Sequence, residues 1–197
     1  RVWDNRPLME RNPEYVDTLE NLPEDLRRAY LDGDWDVFAG QYFTEFRRAV
    51  HVCVPFEIPA HWTRYCALDY GLDMLAAIWC AFDTSGNAYV YQELCKPDTV
   101  ISDAARMIRS AGGDGIACTY APADMWGRNR ATGKAQAEMF AAEGLPPTMV
   151  RNARVDGWHA LKEWLRPLPD GTGGQRAKLC IFSTCTRLIH DLPLLQH

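Results

Sequence analysis

YCALDYGLDMLAAIWCAFDTSGNAYVYQEL, residues 65–94, is the stretch that decides the fold class of this chain. Residues 65–68 form a short apolar run ending at Asp69, and residues 75–82 form a longer one. The turn Asp83–Asn87 then leads into an alternating run over residues 88–94. Short apolar runs bounded by turn-forming residues are typical of strands. The stretch therefore predicts three consecutive strands, of which the last two form a hairpin.

Beyond this stretch the pattern alternates between helix and strand. Residues 99–111 carry apolar side chains at helical spacing and are stopped by Gly112-Gly113. A fourth strand is predicted at residues 116–120, two helices at residues 132–143 and 156–166, and a last strand at residues 178–182 before a short helix. This order predicts an α/β fold with a mixed sheet flanked by helices.

The region before this domain has a different character. Residues 1–47 contain short polar segments separated by prolines, with one helix signal at residues 23–30. We interpret residues 1–47 as a linker or arm and residues 48–197 as the main domain. Aromatic residues near the end of the arm need burial, so we expect that end to pack on this domain or on a neighbouring one. They are Trp35, Phe38, Tyr42, Phe43 and Phe46.

Composition limits the class of protein. With 197 residues, 47% of them apolar, the chain can form one full hydrophobic core plus an arm. No apolar run is long enough to cross a bilayer, and residues 1–7 lack the apolar stretch of a signal peptide. The seven cysteines lie mostly in strand-like runs and indicate buried thiols in a reducing cytosol. No Cys-x-x-Cys pair occurs, which disfavours structural zinc.

The formal net charge of −5 argues against tight binding to nucleic acid. The basic excess is confined to the last third, where residues 126–197 carry 10 Lys/Arg against 6 Asp/Glu. Residues 51–125 carry 4 against 9. A polyanion would bind weakly to the basic last third of the chain, while the acidic middle third would bind cations. Ordinary scatter of surface charge explains the distribution equally well.

Two aspartates follow predicted strands at comparable places. Asp69 ends the first strand, and Asp124 comes a few residues after the fourth. If these strands are adjacent and parallel, both carboxylates lie at one end of the sheet and form a hard-oxygen site for Mg²⁺ or Mn²⁺. Two such ions about 4 Å apart activate a water and stabilise the leaving oxygen in phosphodiester cleavage. A turn or helix-cap role is the alternative for each aspartate.

Other charged residues are secondary candidates. Asp73, in the turn after Asp69, could reach a metal directly or through water, with a solvated turn aspartate as the alternative. Glu93, at the end of the third strand, would face the same end of the sheet only if the hairpin register allows it. Basic side chains in the last third are candidates for backbone phosphate contacts, with a merely solvated helix face as the alternative. These are Arg128, Arg130, Lys134, Arg151 and Arg154. No phosphate-loop motif and no identifiable Ser or Cys hydrolase triad are present.

Several stretches along nearly the whole chain resemble the C-terminal nuclease half of the large terminase subunit of tailed bacteriophages. The most specific is Gly33–Gln41, Gly-Asp-Trp-Asp-x-Phe-x-Gly-Gln, because it is long and has no generic structural reason to recur. The others are Asn12–Val16 with Leu22–Glu24, Leu31–Phe43 around the first, Leu68–Gly71, Ala123–Trp126 and Leu188–Leu195.

The resemblance implies a ribonuclease-H-like fold in which Asp69 and Asp124 match the first and second metal carboxylates. It further implies an endonuclease that uses Mg²⁺ or Mn²⁺ to cut concatemeric double-stranded DNA during packaging in the host bacterial cytoplasm. The implied partners are DNA, the terminase small subunit, the portal or procapsid, and an ATPase domain preceding Arg1, with residues 1–47 as connector.

One departure from the family concerns the third metal carboxylate, which the resemblance implies in a helix beyond His197. Asp191 matches an ordinary charged helix position of the family and is not a substitute. We therefore expect the 197-residue fragment to bind metal weakly and cut DNA poorly, and a longer fragment to recover activity.

Two alternative functions stay open from the sequence. Another ribonuclease-H-like nuclease, of the resolvase or transposase type, would share Asp69 but would not explain the arm. A non-catalytic module that docks on the portal or procapsid would leave the carboxylates a structural role.

Overall fold

The computed structural model describes most of the chain from residue 40 onward. The described residues are Pro7, 14–22, Arg27, 40–71, 73–130, 133–151 and 153–196. Most of the predicted helix at residues 23–30, most of the Gly33–Gln41 stretch, and the aromatic residues Trp35 and Phe38 lie outside this set.

A seven-stranded mixed sheet forms the centre of the fold. Its strands are β1 (Val52–Cys53), β2 (Thr63–Tyr70), β3 (Met74–Phe82), β4 (Ala88–Pro97), β5 (Ile116–Pro122), β6 (Thr148–Val150) and β9 (Leu179–Phe182). They are arranged in the order β1-β9-β4-β3-β2-β5-β6. Strands β2, β3 and β4 are antiparallel, whereas β5 pairs parallel with β2 and β6 parallel with β5. Two further strands, β7 (Leu168–Pro169) and β8 (Gln175–Arg176), form a separate hairpin.

Helices lie on both sides of this sheet. They are α1 (Glu14–Glu20), α2 (Arg48–His51), α3 (Ile101–Gly112), α4 (Gln136–Ala142), α5 (Arg154–Leu165) and α6 (Thr186–Asp191), with short 3-10 helices at Ala123–Trp126 and Leu192–Leu194. None of the helices in the described ranges has the length and apolar character to cross a membrane.

Most of the elements predicted from sequence are confirmed. The three consecutive strands, the helix after them and the fourth strand occur where the patterns indicate, and the first and fourth strands are adjacent and parallel. The helix predicted at residues 132–143 was placed too early, because it begins at Gln136. Gly133 adopts a left-handed φ of 67°, and Ala135 bridges to Arg128, so the chain before Gln136 forms a hairpin-like loop. The short strands β1, β6, β7 and β8 were not predicted.

One face of the sheet packs against α3 and α4. Side chains alternate along β2 and β3, so every second residue faces these helices. We call the buried set the helix-side cluster. Its members are Cys66, Leu68, Leu75, Ala77, Trp79, Ala104, Ala105, Ile108, Ala121, Met125, Ala137 and Phe140.

The opposite face packs against the end of the arm and against α5 and α6. We call this buried set the arm-side cluster. Its members are Tyr42, Phe43, Phe46, Ala88, Val90, Leu165, Leu179, Ile181, Phe182, Cys185, Ile189 and Leu192. The three aromatic residues that precede residue 48 in this cluster confirm that the described end of the arm packs on the main domain. The division of the chain at residue 47 stays a prediction.

The cysteines are free thiols, as the sequence indicates. Burial raises the pKa of the Cys66 and Cys185 thiols to about 12 and that of Cys80 and Cys180 to about 11. These four side chains therefore stay protonated at neutral pH, and they behave as small apolar residues of the core.

Candidate active site

Asp69 lies one residue before the end of β2, on the face opposite the helix-side cluster. Cys66 and Leu68 are buried in that cluster, and alternation along the strand places Asp69 on the other side. Its carboxylate is exposed there. Strand β3 pairs antiparallel with β2, and β4 pairs antiparallel with β3, so the backbone that carries Asp69 is held by a continuous ladder.

Asp124 follows β5 in the 3-10 helix Ala123–Trp126. The next residue, Met125, is buried in the helix-side cluster and anchors this turn. The Gly127 amide donates to the Asp124 carbonyl at 2.9 Å, which closes the turn. The carboxylate of Asp124 is exposed.

The sheet brings Asp69 and Asp124 to the same end. In the parallel pair β2–β5, Ala67 is opposite Tyr120. Two residues further along, Asp69 is level with Pro122, and Asp124 lies two residues beyond it. Within the described part of the chain, neither carboxylate has a hydrogen bond or an ion pair. Both are therefore available to a ligand without loss of an existing contact.

The donor chemistry of this pair fits a divalent cation, because carboxylate oxygens are the ligands that Mg²⁺ and Mn²⁺ prefer. The described residues supply too few ligands for a complete metal site, however. Among the described residues, no group of three or more His, Cys, Asp and Glu side chains is placed to hold a metal ion. The metal-binding role of Asp69 and Asp124 therefore stays a prediction.

Asp73 lies at the same end of the sheet, in the turn between β2 and β3. It is exposed, and its carbonyl accepts a hydrogen bond from the Asp98 amide at 3.4 Å. Its position near the end of β2 is the one predicted, but no described metal-binding cluster includes it.

Glu93 lies on the same face of the sheet as Asp69, but its carboxylate is already hydrogen-bonded to backbone amides. It pairs with Ile78 on β3, and Asp69 pairs with Ala76, so one whole strand separates the two residues. The Glu93 carboxylate accepts hydrogen bonds from the amides of Arg187 and Leu188, both at 2.8 Å. These amides belong to the first turn of α6, where donors lack partners within the helix. Glu93 therefore caps α6 from a neighbouring strand.

A hairpin-like loop carries three of the predicted phosphate-binding side chains past Asp124. We call residues 127–135 the basic loop; it contains Arg128, Arg130 and Lys134. The Asn129 amide donates to the Lys134 carbonyl at 3.1 Å, and the Gly133 amide donates to the Asn129 carbonyl at 2.8 Å. These backbone hydrogen bonds join Asn129 to Gly133 and Lys134 across the loop.

Arg128 is held by an acidic residue of α4 that sequence reasoning did not single out. Its guanidinium is 3.5 Å from the Glu138 carboxylate, which also accepts a hydrogen bond from the Ala135 amide at 3.2 Å. A glutamate at the third helical position often caps its own helix in this way, which was the available signal.

The basic loop and Asp124 border a groove of about 600 Å³. Its lining includes Asp124, Arg128, Lys134 and, from β2, Tyr70. Burial raises the pKa of Tyr70, and its hydroxyl donates to the Thr99 carbonyl at 2.6 Å. Sequence reasoning did not single out Tyr70. Alternation along β2 places Tyr70 on the face of the sheet opposite Asp69.

Arg151 and Arg154 lie further along the same end of the sheet. Arg151 directly follows β6, the edge strand beside β5, and Arg154 begins α5. Both side chains are exposed. The parallel order of β2, β5 and β6 therefore places Asp69, Asp124 and Arg151 at the ends of three adjacent strands.

Comparison of this chain with known proteins finds similarity at the level of structure. No family model matches the sequence, and no curated protein matches it significantly. The nuclease domain of the P22 large terminase superposes with a TM-score of 0.63 and 19% identity, over 81% of this chain and 80% of that one. The large terminase nuclease of the thermophilic phage G20c with bound magnesium gives 0.54 and 13%, over 81% and 82%.

A longer terminase chain matches over a larger share of this chain. The large terminase of another thermophilic bacteriophage, in complex with ATP-gamma-S, superposes with a TM-score of 0.60 and 13% identity. The match covers 98% of this chain but only 45% of that longer terminase chain. These superpositions confirm that the chain has the ribonuclease-H-like fold of large terminase nuclease domains.

Proposed function

We propose that this chain is the nuclease domain of a viral DNA-packaging terminase and that it cuts concatemeric double-stranded DNA at a metal site built on Asp69 and Asp124. One observation carries the proposal: two exposed carboxylates without partners in the described chain end adjacent parallel strands. These two carboxylates occur in a fold that the chain shares with terminase nuclease domains.

The proposed cofactor is Mg²⁺ or Mn²⁺ in a two-metal site. A structure with the same fold contains magnesium, and the oxygen donors of Asp69 and Asp124 suit either ion. When bound, such ions supply an activated water and stabilise the leaving oxygen of the phosphodiester. The protein would contribute the Asp69 carboxylate from the end of β2 and the Asp124 carboxylate from the 3-10 helix after β5, with Asp73 as a further candidate ligand. Glu93 is already used by α6 and is a poor candidate.

The proposed DNA-binding surface consists of the basic loop together with Arg151 and Arg154. These side chains lie beside Asp124 and beyond β6, where they would contact backbone phosphates and position the strand without reading its sequence. The net charge of −5 predicts weak intrinsic affinity. A packaging ATPase that already holds the DNA would raise the local concentration enough to offset this weakness.

The biological setting follows from the same proposal. Residues 1–47 would connect the nuclease to an ATPase domain, and the partners would be DNA, the terminase small subunit, and the portal or procapsid. The site of action would be the host bacterial cytoplasm.

Because the 197-residue fragment is expected to cut DNA poorly, the decisive experiment uses the full-length natural protein that contains it. It measures plasmid cleavage with Mn²⁺ or Mg²⁺ by the wild type and by Asp69→Asn and Asp124→Asn. Loss of one metal carboxylate removes several kcal/mol of transition-state stabilisation, so we expect each variant to fall by at least about a hundredfold. Asp103→Asn is the matched control, because Asp103 is a partly exposed aspartate of α3 that pairs with Arg106 away from the site.

Circular dichroism and thermal unfolding should show that all three variants fold like the wild type. Cleavage that survives in Asp69→Asn or Asp124→Asn, or that chelation of the metal leaves unchanged, would refute the assignment. In that case the portal-docking alternative would gain support.

A further inference from the structure

The groove of about 600 Å³ beside Asp124 is lined by side chains that the proposed cleavage reaction does not use. Besides Asp124 and residues of the basic loop, they are Tyr70, Ile101, Gln136 and Met139. The volume lies within the range of about 300–1,000 Å³ that is typical of pockets for small molecules and cofactors. The groove therefore has room for a ligand larger than a phosphate group alone.

The apolar part of the groove contains an aromatic ring that is held in place. The Tyr70 hydroxyl donates to the Thr99 carbonyl at 2.6 Å. The Tyr70 ring packs edge to face with the buried ring of Phe140, with the ring centroids 5.4 Å apart and the ring planes at 79°. In the same groove, Ile101 is half-buried and Met139 is 36% exposed. A fixed aromatic ring with exposed apolar side chains offers a surface on which a flat ring can pack.

A neutral polar group lies near Met139 on α4. Gln136 is three residues before Met139, and residues at this spacing share one side of a helix. The half-buried side chain of Gln136 has no hydrogen-bond partner among the described residues. Its amide presents both donors and an acceptor. The edge of a nucleobase also combines donors and acceptors and can bond to such an amide, whereas a purely apolar ligand would leave the amide unsatisfied.

The side of the groove formed by the basic loop carries positive charge. Arg128 and Lys134 both line the groove, and the side chain of Arg128 is 74% exposed. Glu138, 3.5 Å from the Arg128 guanidinium, offsets part of this charge. A guanidinium has five N–H donors, however, and can bind a further anion. In the absence of a metal ion the Asp124 carboxylate repels anions, so a phosphate group would bind at the basic loop.

We propose that this groove binds one unpaired nucleotide of a DNA strand. The base would pack against Tyr70 and Met139, with its edge at Gln136, and the phosphate would contact the cations of the basic loop. A free phosphate would leave the apolar side chains uncovered, and a neutral aromatic compound would leave the cations without a partner. A nucleotide matches all three features of the groove.

The position of the groove connects this nucleotide with the proposed cleavage site. Asp124 borders the groove and belongs to the proposed metal site, so the bound nucleotide would neighbour the phosphate that is cut. Taking a base out of a duplex costs free energy, and the cost is least where the strand is already single. The groove should therefore prefer a single strand to a paired duplex. The choice of DNA as the source of the nucleotide rests on the proposed nuclease function, whereas binding of a nucleotide does not.

The test follows the ¹³C-labelled methionine methyl groups of the full chain by NMR during titration with 2′-deoxyadenosine 5′-monophosphate, without added metal. The Met139 resonance is assigned by its disappearance in Met139→Leu. We expect the nucleotide to shift this resonance saturably, with half-saturation in about the millimolar range. Met149, which is 49% exposed on β6, is the internal control, and its resonance should not move.

Two truncated ligands show whether both parts of the nucleotide contribute. 2-Deoxyribose 5-phosphate lacks the base, and 2′-deoxyadenosine lacks the phosphate. Each should require a concentration higher by at least about tenfold to shift Met139, because each loses either the ring packing or the charged hydrogen bonds.

A double variant locates the phosphate. Arg128→Gln with Lys134→Gln should raise the half-saturation concentration for the nucleotide by about tenfold and leave that for 2′-deoxyadenosine unchanged. Arg106→Gln, at an arginine of α3 whose side chain is 71% exposed, is the matched control and should bind the nucleotide like the wild type. The ligand series needs no variant, so the test stands even if the double variant folds poorly.

The last comparison uses DNA itself. A single-stranded oligonucleotide should shift Met139 at a several-fold lower concentration than a blunt duplex of the same sequence. The proposal is overturned by equal affinity for strand and duplex, by equal movement of Met139 and Met149, or by a wild type whose Met139 resonance stays unmoved. Failure of the proposed nuclease function would instead appear as absent cleavage with the nucleotide-induced shift of Met139 intact.

Discussion

His51 illustrates how one side chain joins two parts of the fold. It is fully buried, its Nε2 donates to the Leu165 carbonyl at 2.7 Å, and its Nδ1 accepts from the Arg47 amide at 3.0 Å. Nδ1 is also 3.0 Å from the Arg47 carbonyl, so a neutral ring accepts from the Arg47 amide and a protonated ring would donate to the Arg47 carbonyl. The ring thus connects the end of the arm with the end of α5.

We expect the stability of the protein to fall in mild acid because of this residue. Burial, reinforced by the charge of Arg47, lowers the pKa of His51 from 6.5, although the backbone contacts partly oppose the shift. The unfolded chain therefore binds more protons just below pH 6.5, so stability present above that pH is lost as the pH falls through the folded-state pKa. Each unit of pKa difference corresponds to about 1.4 kcal/mol.

Urea unfolding at about pH 7.5 and about pH 5.5 checks this expectation. The free energy of unfolding should drop more in the wild type than in His51→Gln, whose side chain cannot titrate. His61→Gln, at an exposed histidine, should behave like the wild type. A drop of the same size in wild type and His51→Gln would show that other groups cause it.

Also at the residue scale, Asp69 and Glu93 show which features of the candidate site can be predicted from the sequence and which cannot. The position of Asp69 follows from local pattern alone, because an apolar run predicts the strand and its end. The role of Glu93 depends on the docking of α6, whose amides come from the far end of the chain. No local pattern encodes that contact, and the prediction of a metal-facing glutamate rested on register alone.

At the scale of elements, the basic loop is the feature on which DNA binding should depend most. We expect the triple variant Arg128→Gln, Arg130→Gln, Lys134→Gln to bind duplex DNA more weakly and with less dependence on salt. Each phosphate contact that is lost should reduce the slope of log affinity against log salt by about 0.9. Fluorescence anisotropy with a labelled duplex at several salt concentrations measures this slope.

Arg106→Gln serves as the control for this measurement. Arg106 is an exposed arginine on α3, paired with Asp103, and its loss should leave the slope unchanged. If the triple variant keeps the wild-type slope, the phosphates contact another surface.

The start of α4 shows why some elements were misplaced. Residues 132–143 have suitable helical composition, but Gly133 in a left-handed conformation and the bridge from Arg128 to Ala135 delay the helix to Gln136. The short strands β1 and β6 were missed for a related reason, because two or three residues carry too little pattern. Their pairing is created by neighbouring strands and not by their own sequence.

At the scale of the whole molecule, the arm and the sheet share one core. Phe46 is 1% exposed and lies within the arm-side cluster, with its ring centroid 5.5 Å from that of His51. The sequence places this residue in the arm, and its ring packs with residues of the sheet, as expected for the end of the arm.

We therefore expect Phe46→Ala to destabilise the protein by about 3–5 kcal/mol, the usual cost of removing a fully buried phenylalanine. Phe56→Ala, at a ring that is 42% exposed, should cost only about 1–2 kcal/mol. Denaturant unfolding of the two variants compares them directly. Near-wild-type stability of Phe46→Ala would mean that the arm contributes little to the folded core.

The parallel pairing of β2 with β5 has a consequence for the order of events during folding. Strands β2, β3 and β4 are joined by tight turns and can pair locally, but β5 joins β2 only after the chain has passed through β3, β4 and α3. Such non-local pairings form slowly because the intervening chain must first be ordered. We expect Asp69 and Asp124 to meet late, so that a partly folded chain, during synthesis or after damage, has not yet assembled the proposed cleavage site.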